Sequence, residues 1–162
     1  MLDPPIPYKL TKRQRTVKMT IKEKLFVGTA AEEHVEMYLK AMWLIKENND
    51  PIKISAVASL LSIRQPSVVQ MMKKLDDMDY VRYTKVGIAL TEKGEKLGAN
   101  IVRKSRLLEV LMVNHLKVNP DEEIVCGMEH HMNDEFTNSL SSILGNPTKS
   151  PNGKTIPSME EC

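Results

Sequence analysis

Ile54-Ser55-Ala56-Val57-Ala58-Ser59-Leu60-Leu61, then Ser62-Ile63-Arg64-Gln65, then Pro66-Ser67-Val68-Val69-Gln70-Met71-Met72-Lys73-Lys74-Leu75-Asp76-Asp77-Met78 is the stretch that decides the fold. The first block reads as a short helix and the second as a tight turn. Pro66 suits the first position of the following helix, where its missing N–H is not needed. Over Pro66 to Met78 the residues Val68, Met72, Leu75 and Met78 recur on one side, leaving Ser67, Gln70, Lys73 and Lys74 on the other. Two short helices joined by a turn, the second polar and basic outside, form a helix-turn-helix whose second helix enters the major groove of DNA.

Working outward, Tyr80-Val81-Arg82-Tyr83 and Ile88-Ala89-Leu90 are brief β-prone runs around a turn containing Lys85 and Gly87, which makes the motif winged. Upstream, Glu32 to Asn48 reads as a helix with Glu32, Glu33 and Glu36 in its opening turns. Val35, Tyr38, Leu39, Met42 and Ile45 repeat at helical spacing along it, and Met37 lies on the flank of that stripe. Downstream, Thr91 looks like the N-cap of a long helix reaching about Leu116, and Asn119-Pro120 ends it.

Beyond that break, a helix is predicted from about Asp121 to Leu144, with an apolar stripe of Val125, Met128, Met132, Phe136, Leu140 and Ile143. Cys126, Glu129 and His130 stand at i, i+3 and i+4, so thiol, carboxylate and imidazole share one face, at the edge where a second helix should pack. That is three-quarters of a metal site. The same residues also read as a small buried hydrophobe beside a solvated pair.

A chain of 162 residues with 41% hydrophobic and 27% charged content is globular, neither fibrous nor disordered. No apolar run approaches the span of a bilayer and no secretory signal opens the chain, so a cytoplasmic location and no membrane partner are expected. Two cysteines, Cys126 and Cys162, make no disulfide framework and fit a reducing compartment. Charge is uneven, because residues 1–30 carry seven Lys/Arg against two acids while the whole chain is only +2. A basic arm on a slightly acidic body suits contact with phosphates or a merely solvating role. The expected organisation is a basic arm (1–30), a winged-helix domain (31–95), a helical dimerisation and metal-binding domain (96–144) and an extended tail (145–162), in a mainly α protein. Two helices cannot bury their own apolar faces, which is why the second domain is read as dimerising.

Several motifs lie in register across residues 32–157. Glu36-Met37-Tyr38-Leu39, Arg64-Gln65-Pro66-Ser67-Val68-Val69-Gln70, Leu90-Thr91-Glu92-Lys93-Gly94, Val102-Arg103-Lys104, Cys126-Gly127-Met128-Glu129-His130, Ser150-Pro151-Asn152-Gly153 and Ile156-Pro157 together resemble the diphtheria-toxin-repressor family of metal-dependent transcriptional repressors. The resemblance implies a homodimer on double-stranded DNA at a palindromic operator, controlling metal-ion homeostasis. It implies a metal held by Met37, Cys126, Glu129 and His130, bridging the two domains and setting the spacing of the recognition helices.

Soft donors at Met37 and Cys126 favour Fe(II), Co(II), Ni(II) or Zn(II), and cellular availability together with the resemblance makes Fe(II) the favoured ion, with Mn(II) also possible; the manganese-sensing branch carries hard carboxylates at those two positions. The family's second metal site uses a histidine and a glutamate on the long helix. Here Ser105 stands at the first, only Glu109 is retained, Glu122 stands near another second-site position, and Lys40 replaces the acid of the manganese branch. His131 and His34 are not expected as ligands, and no SH3-like third domain is expected. For DNA, the expected contacts are Arg64, Gln65, Pro66, Ser67, Gln70, Lys73 and Lys74, with Lys85 on the wing. Gln70 is assigned to a base edge and Ser67 to a phosphate.

The competing function is a winged-helix regulator that needs no metal and uses Cys126 as a redox sensor. An enzyme is not expected, because Cys126-x-x-Glu129-His130 differs from the H-x-x-E-H of some zinc peptidases in placing cysteine first and has no obvious third ligand downstream.

Overall fold

The computed structural model describes residues 23–162, with side chains from residue 31 onward, so the charges assigned to the basic arm fall outside the described side chains. Nine segments follow one another within that range: α1 (Glu23–Glu47), α2 (Ile54–Leu60), α3 (Gln65–Asp77), β1 (Val81–Thr84), β2 (Gly87–Leu90), α4 (Glu92–Val110), its π-helical extension (Leu111–Leu116), α5 (Glu122–Glu129) and α6 (Asp134–Ile143). The first helix begins at Glu23 rather than at Glu32. No proline interrupts residues 23–32, so the acidic cluster at 32–36 lies inside the helix instead of opening it.

The helix-turn-helix closes a hydrophobic core that α1 supplies from one side. Val35, Tyr38, Leu39, Met42 and Ile45 of α1 meet Val57 and Ala58 of α2 and Val68, Met72 and Leu75 of α3, with Val81 of the wing, and all are buried. The turn between α2 and α3 takes a left-handed residue at Ser62, φ 54°. Arg64, Gln65, Pro66, Ser67, Gln70, Lys73 and Lys74 are all exposed, as is Lys85. The wing is a tight antiparallel hairpin with Val81 opposite Leu90 and Thr84 opposite Gly87. Its tip residue Val86 is 99% exposed.

Thr91 caps α4 as expected, its side chain accepting from the Gly94 N–H at 3.1 Å. Gly94 is required by close approach, since a Cβ there would stand 2.0 Å from the Tyr80 carbonyl oxygen. That oxygen already accepts from the Thr91 N–H, so it cannot swing away freely. Gly94→Ala should therefore destabilise by about 1–3 kcal/mol. An unchanged midpoint in thermal denaturation would refute this.

Towards its C-terminus α4 packs on α5 and α6. Leu107, Leu108, Val110 and Met112 form a second core with Val125, Met132, Leu140 and Ile156. The single helix expected from Asp121 to Leu144 is in fact two. Asn133 caps α6 by accepting from the Phe136 N–H, and an asparagine cap followed by Asp134-Glu135 competes well with helix continuation. The break splits the apolar stripe. Val125, Met132 and Leu140 are buried, whereas Met128, Phe136 and Ile143 are exposed at 41%, 50% and 77%.

Residues 145–162 were expected as an extended tail, but they fold back onto α4. Gly153 in the left-handed region (φ 77°) reverses the chain, Lys149 bridges to Thr155, and Ile156 is buried in the second core. The Arg103 guanidinium fastens the tail by donating to the Pro157 carbonyl at 2.8 Å. An isoleucine that can reach a core does not stay in solvent. No helix among the described residues is long and apolar enough to cross a membrane.

Candidate metal centre

Cys126 and Glu129 stand on α5 and His130 at its C-cap, and helical spacing brings one donor atom from each within 4.8 Å of the others. Glu129 is fully buried, and the His130 side chain is 3% exposed. Nothing local explains why a helix near the protein surface should bury a carboxylate and an imidazole together. The explanation comes from α1, whose Glu33, Glu36, Met37 and Lys40 lie at i, i+3, i+4 and i+7 and so form one face.

Glu36 holds the imidazole, with Oε2 2.6 Å from His130 Nδ1. A carboxylate at Nδ1 keeps a proton on that nitrogen and leaves Nε2 with a free lone pair. His130 Nε2 is buried, has no hydrogen-bond partner, and lies 3.8 Å from Glu129 Oε1. An orphaned buried acceptor is costly unless something else takes the lone pair. Lys40 balances Glu129: its ammonium donates to both carboxylate oxygens at 2.8 Å and to Ser105 Oγ at 3.1 Å.

Cys126 is partly buried. Burial is the main cause raising its thiol pKa, the neighbouring Glu129 charge adds to it, and Lys40 opposes it. Met37, Lys40, Ser105, Cys126 and Glu129 line one cleft of about 410 Å³. Glu109 and Glu122 border the same cleft. Burial pushes the Glu109 carboxyl above its ordinary value, with Arg106 and Lys40 pulling it down.

The structure thus brings Cys126, Glu129 and His130 together and sets Met37 in the cleft that Cys126 and Glu129 line. Ser105 is buried and occupied as an acceptor for Lys40, while Glu122 is exposed at the cleft's rim. His131 is exposed, its Nδ1 3.0 Å from the Gly127 carbonyl, and His34 is exposed as well. Sequence reasoning passed over Glu36 as a partner for His130, although its place on the Met37 face of α1 was a usable signal.

A sulfur pair with an imidazole and a carboxylate is a donor set for a divalent transition metal. Comparisons with known proteins point to a metal-binding family. The family described as iron dependent repressor, N-terminal DNA binding domain, matches residues 31–88, and iron dependent repressor, metal binding and dimerisation domain, matches residues 91–158. An uncharacterised HTH-type transcriptional regulator of Methanocaldococcus jannaschii is 38% identical over 116 residues, which is 69% of this chain and 93% of that protein. Among solved structures, the manganese regulator SloR superposes with a TM-score of 0.68 at 36% identity, covering 77% of this chain and 60% of that one. ScaR with bound Zn2+ gives 0.67 at 35% identity, covering 78% and 61%. The chain therefore spans about three-fifths of the length of these two solved relatives. Both halves of the family pattern are present in order, and the chain belongs to the iron-dependent repressor family, the diphtheria-toxin-repressor type of metal-dependent transcriptional regulators and not a family of enzymes.

Proposed function

We propose that this chain is a metal-dependent, DNA-binding transcriptional repressor acting in metal-ion homeostasis, with Met37, Cys126, Glu129 and His130 as the ligands and Fe(II) as the favoured ion. The observation that carries the reading is the buried, unpartnered His130 Nε2, held in its tautomer by Glu36 and facing Glu129. Its neighbours Cys126 and Met37 supply soft donors, which favour Fe(II), Co(II), Ni(II) or Zn(II) over Mn(II), although affinity order alone ranks zinc above iron. When bound, the ion supplies a link between α1 and α5 that favours one arrangement of the fold over others.

That link matters because of what α1 does elsewhere. The helix that carries Met37 and Glu36 also carries Leu39 and Met42, the buried side chains against which the helix-turn-helix packs. Fixing α1 against α5 therefore fixes the orientation of α3 relative to the α5–α6 half. The exposed apolar side chains Met128, Phe136 and Ile143 support a homodimer through that half. In such a dimer the two copies of α3 would be set roughly 34 Å apart, one turn of DNA, on a palindromic operator.

The exposed side of α3 has the chemistry for the task. Gln70 can pair with an adenine edge, Ser67 can donate to a phosphate near the helix N-terminus, and Arg64, Lys73, Lys74 and wing Lys85 add sequence-independent charge, with Gln65 and Pro66 bordering the same surface. The redox alternative, with Cys126 as the sensor, instead predicts that oxidation changes DNA affinity in the metal-free protein.

The test is binding of the full chain to its own upstream DNA without oxygen, in Fe(II), Mn(II), Zn(II) or chelator. Tight binding is expected only with metal. Equal binding in chelator would overturn the reading.

A further inference from the structure

Resting on that metal centre, the geometry around Glu129 assigns a second role to α1: we infer that Lys40 is a tethered cation that fills the outer side of the centre and limits it to one metal ion per protomer. Glu129 is fully buried, and both of its oxygens are engaged by one ammonium at 2.8 Å. The same ammonium donates to Ser105 Oγ of α4 at 3.1 Å. Three oxygens converging on a single cationic nitrogen is an oxygen-lined cation position, and the cation in it is covalently part of the chain.

The surroundings fit that role. Glu109 and Glu122 border the cleft beside Lys40, so its wall offers three carboxylates and a hydroxyl. Burial holds the Glu109 carboxyl above its ordinary value, and the charges of Arg106 and Lys40 oppose that shift. An all-oxygen wall of this kind suits a hard divalent ion, unlike the sulfur and nitrogen donors of Met37, Cys126 and His130. A divalent ion placed among those oxygens would sit against the ammonium, and like charges that close exclude one another. Glu129 is consequently shared between two cations of different kinds. Oε1, 3.8 Å from His130 Nε2, lies on the side of the exchangeable ion, and both oxygens accept from Lys40.

Metal counting tests this independently of DNA binding. Equilibrium dialysis of the full chain against Mn(II), with metal analysis and native mass spectrometry, should give one ion per protomer at saturation. Lys40→Glu exchanges the ammonium for a further carboxylate and should raise the count to two, with the two bound Mn(II) ions magnetically coupled in their EPR spectrum. Lys40→Gln, which removes the ammonium but stays polar and adds no further negative charge to the metal-free fold, should also bind two and decides the matter if Lys40→Glu fails to fold. Lys40→Arg should stay at one. Two ions in the unaltered protein, or one in a folded Lys40→Gln protein, would overturn the role of Lys40 while leaving the metal centre intact. No bound ion in the unaltered protein with Mn(II), and none when Zn(II) replaces it, would overturn the centre itself.

Discussion

Cys126→Ala should abolish metal-activated DNA binding while leaving a folded protein. Cys126 is only partly buried and sits in a helix, where alanine is favourable, so the change removes a donor without opening a core cavity. Losing a direct ligand should cost more than the roughly 10–100-fold that loss of an outer partner costs. Glu36→Gln provides that outer comparison. It leaves all four proposed ligands in place but weakens the contact that fixes the His130 tautomer, so metal affinity should fall by roughly 10–100-fold. Competition against a fluorescent chelator measures both. Unchanged affinity in Cys126→Ala would remove the thiol from the centre, whatever the DNA binding did.

The largest effect on stability should come from Arg106→Ala. Arg106 is 7% exposed and makes a bidentate pair with Glu47 at 2.8 and 2.6 Å. Its guanidinium also donates to the Thr155 carbonyl and lies over the Trp43 ring, 5.6 Å from its centroid. One side chain of α4 thus ties the end of α1 to the folded-back tail. Glu47 is in the last turn of α1, where a negative charge opposes the helix dipole, so its position depends on this partner. Removing one member of a buried pair costs about 3–5 kcal/mol, and the partial exposure of Glu47 puts the expectation at the lower end, about 3 kcal/mol. Chemical denaturation measures it, and a midpoint within error of the unaltered protein would refute it.

The same pair carries a pH signature. The Arg106 hydrogen bond, with its charge adding to it, holds the Glu47 carboxyl below its ordinary value despite some opposing burial. The unfolded chain therefore binds the Glu47 proton first as acid is added. The contribution is complete above the unfolded value and is lost as pH falls from about 5 through the lower folded value. Arg106→Ala should flatten that acid limb of the stability profile as well as lower its plateau.

Much of this was legible along the chain. The apolar spacing of Val68, Met72 and Leu75 placed the inner face of α3, Pro66 marked its start, and Thr91 capped α4. Helical spacing alone put Cys126, Glu129 and His130 on one face, because those residues are local to each other. Errors arose where two local signals competed. The apolar repeat from Val125 to Ile143 argued for one helix, and the Asn133 cap won. Proline and glycine in residues 145–162 argued for a free tail, and burial of Ile156 won.

What no local pattern could supply is the pairing of distant faces. His130 meets Glu36 across 94 positions and Glu129 meets Lys40 across 89, and periodicity says which face of a helix is special without saying what covers it. The sequence by itself determined the winged helix-turn-helix and a donor-rich turn of helix. Only the tertiary structure decided that α1 brings a carboxylate to orient the imidazole and an ammonium to neutralise the buried glutamate, because a buried charge is stable only where the folded chain delivers its counter-charge.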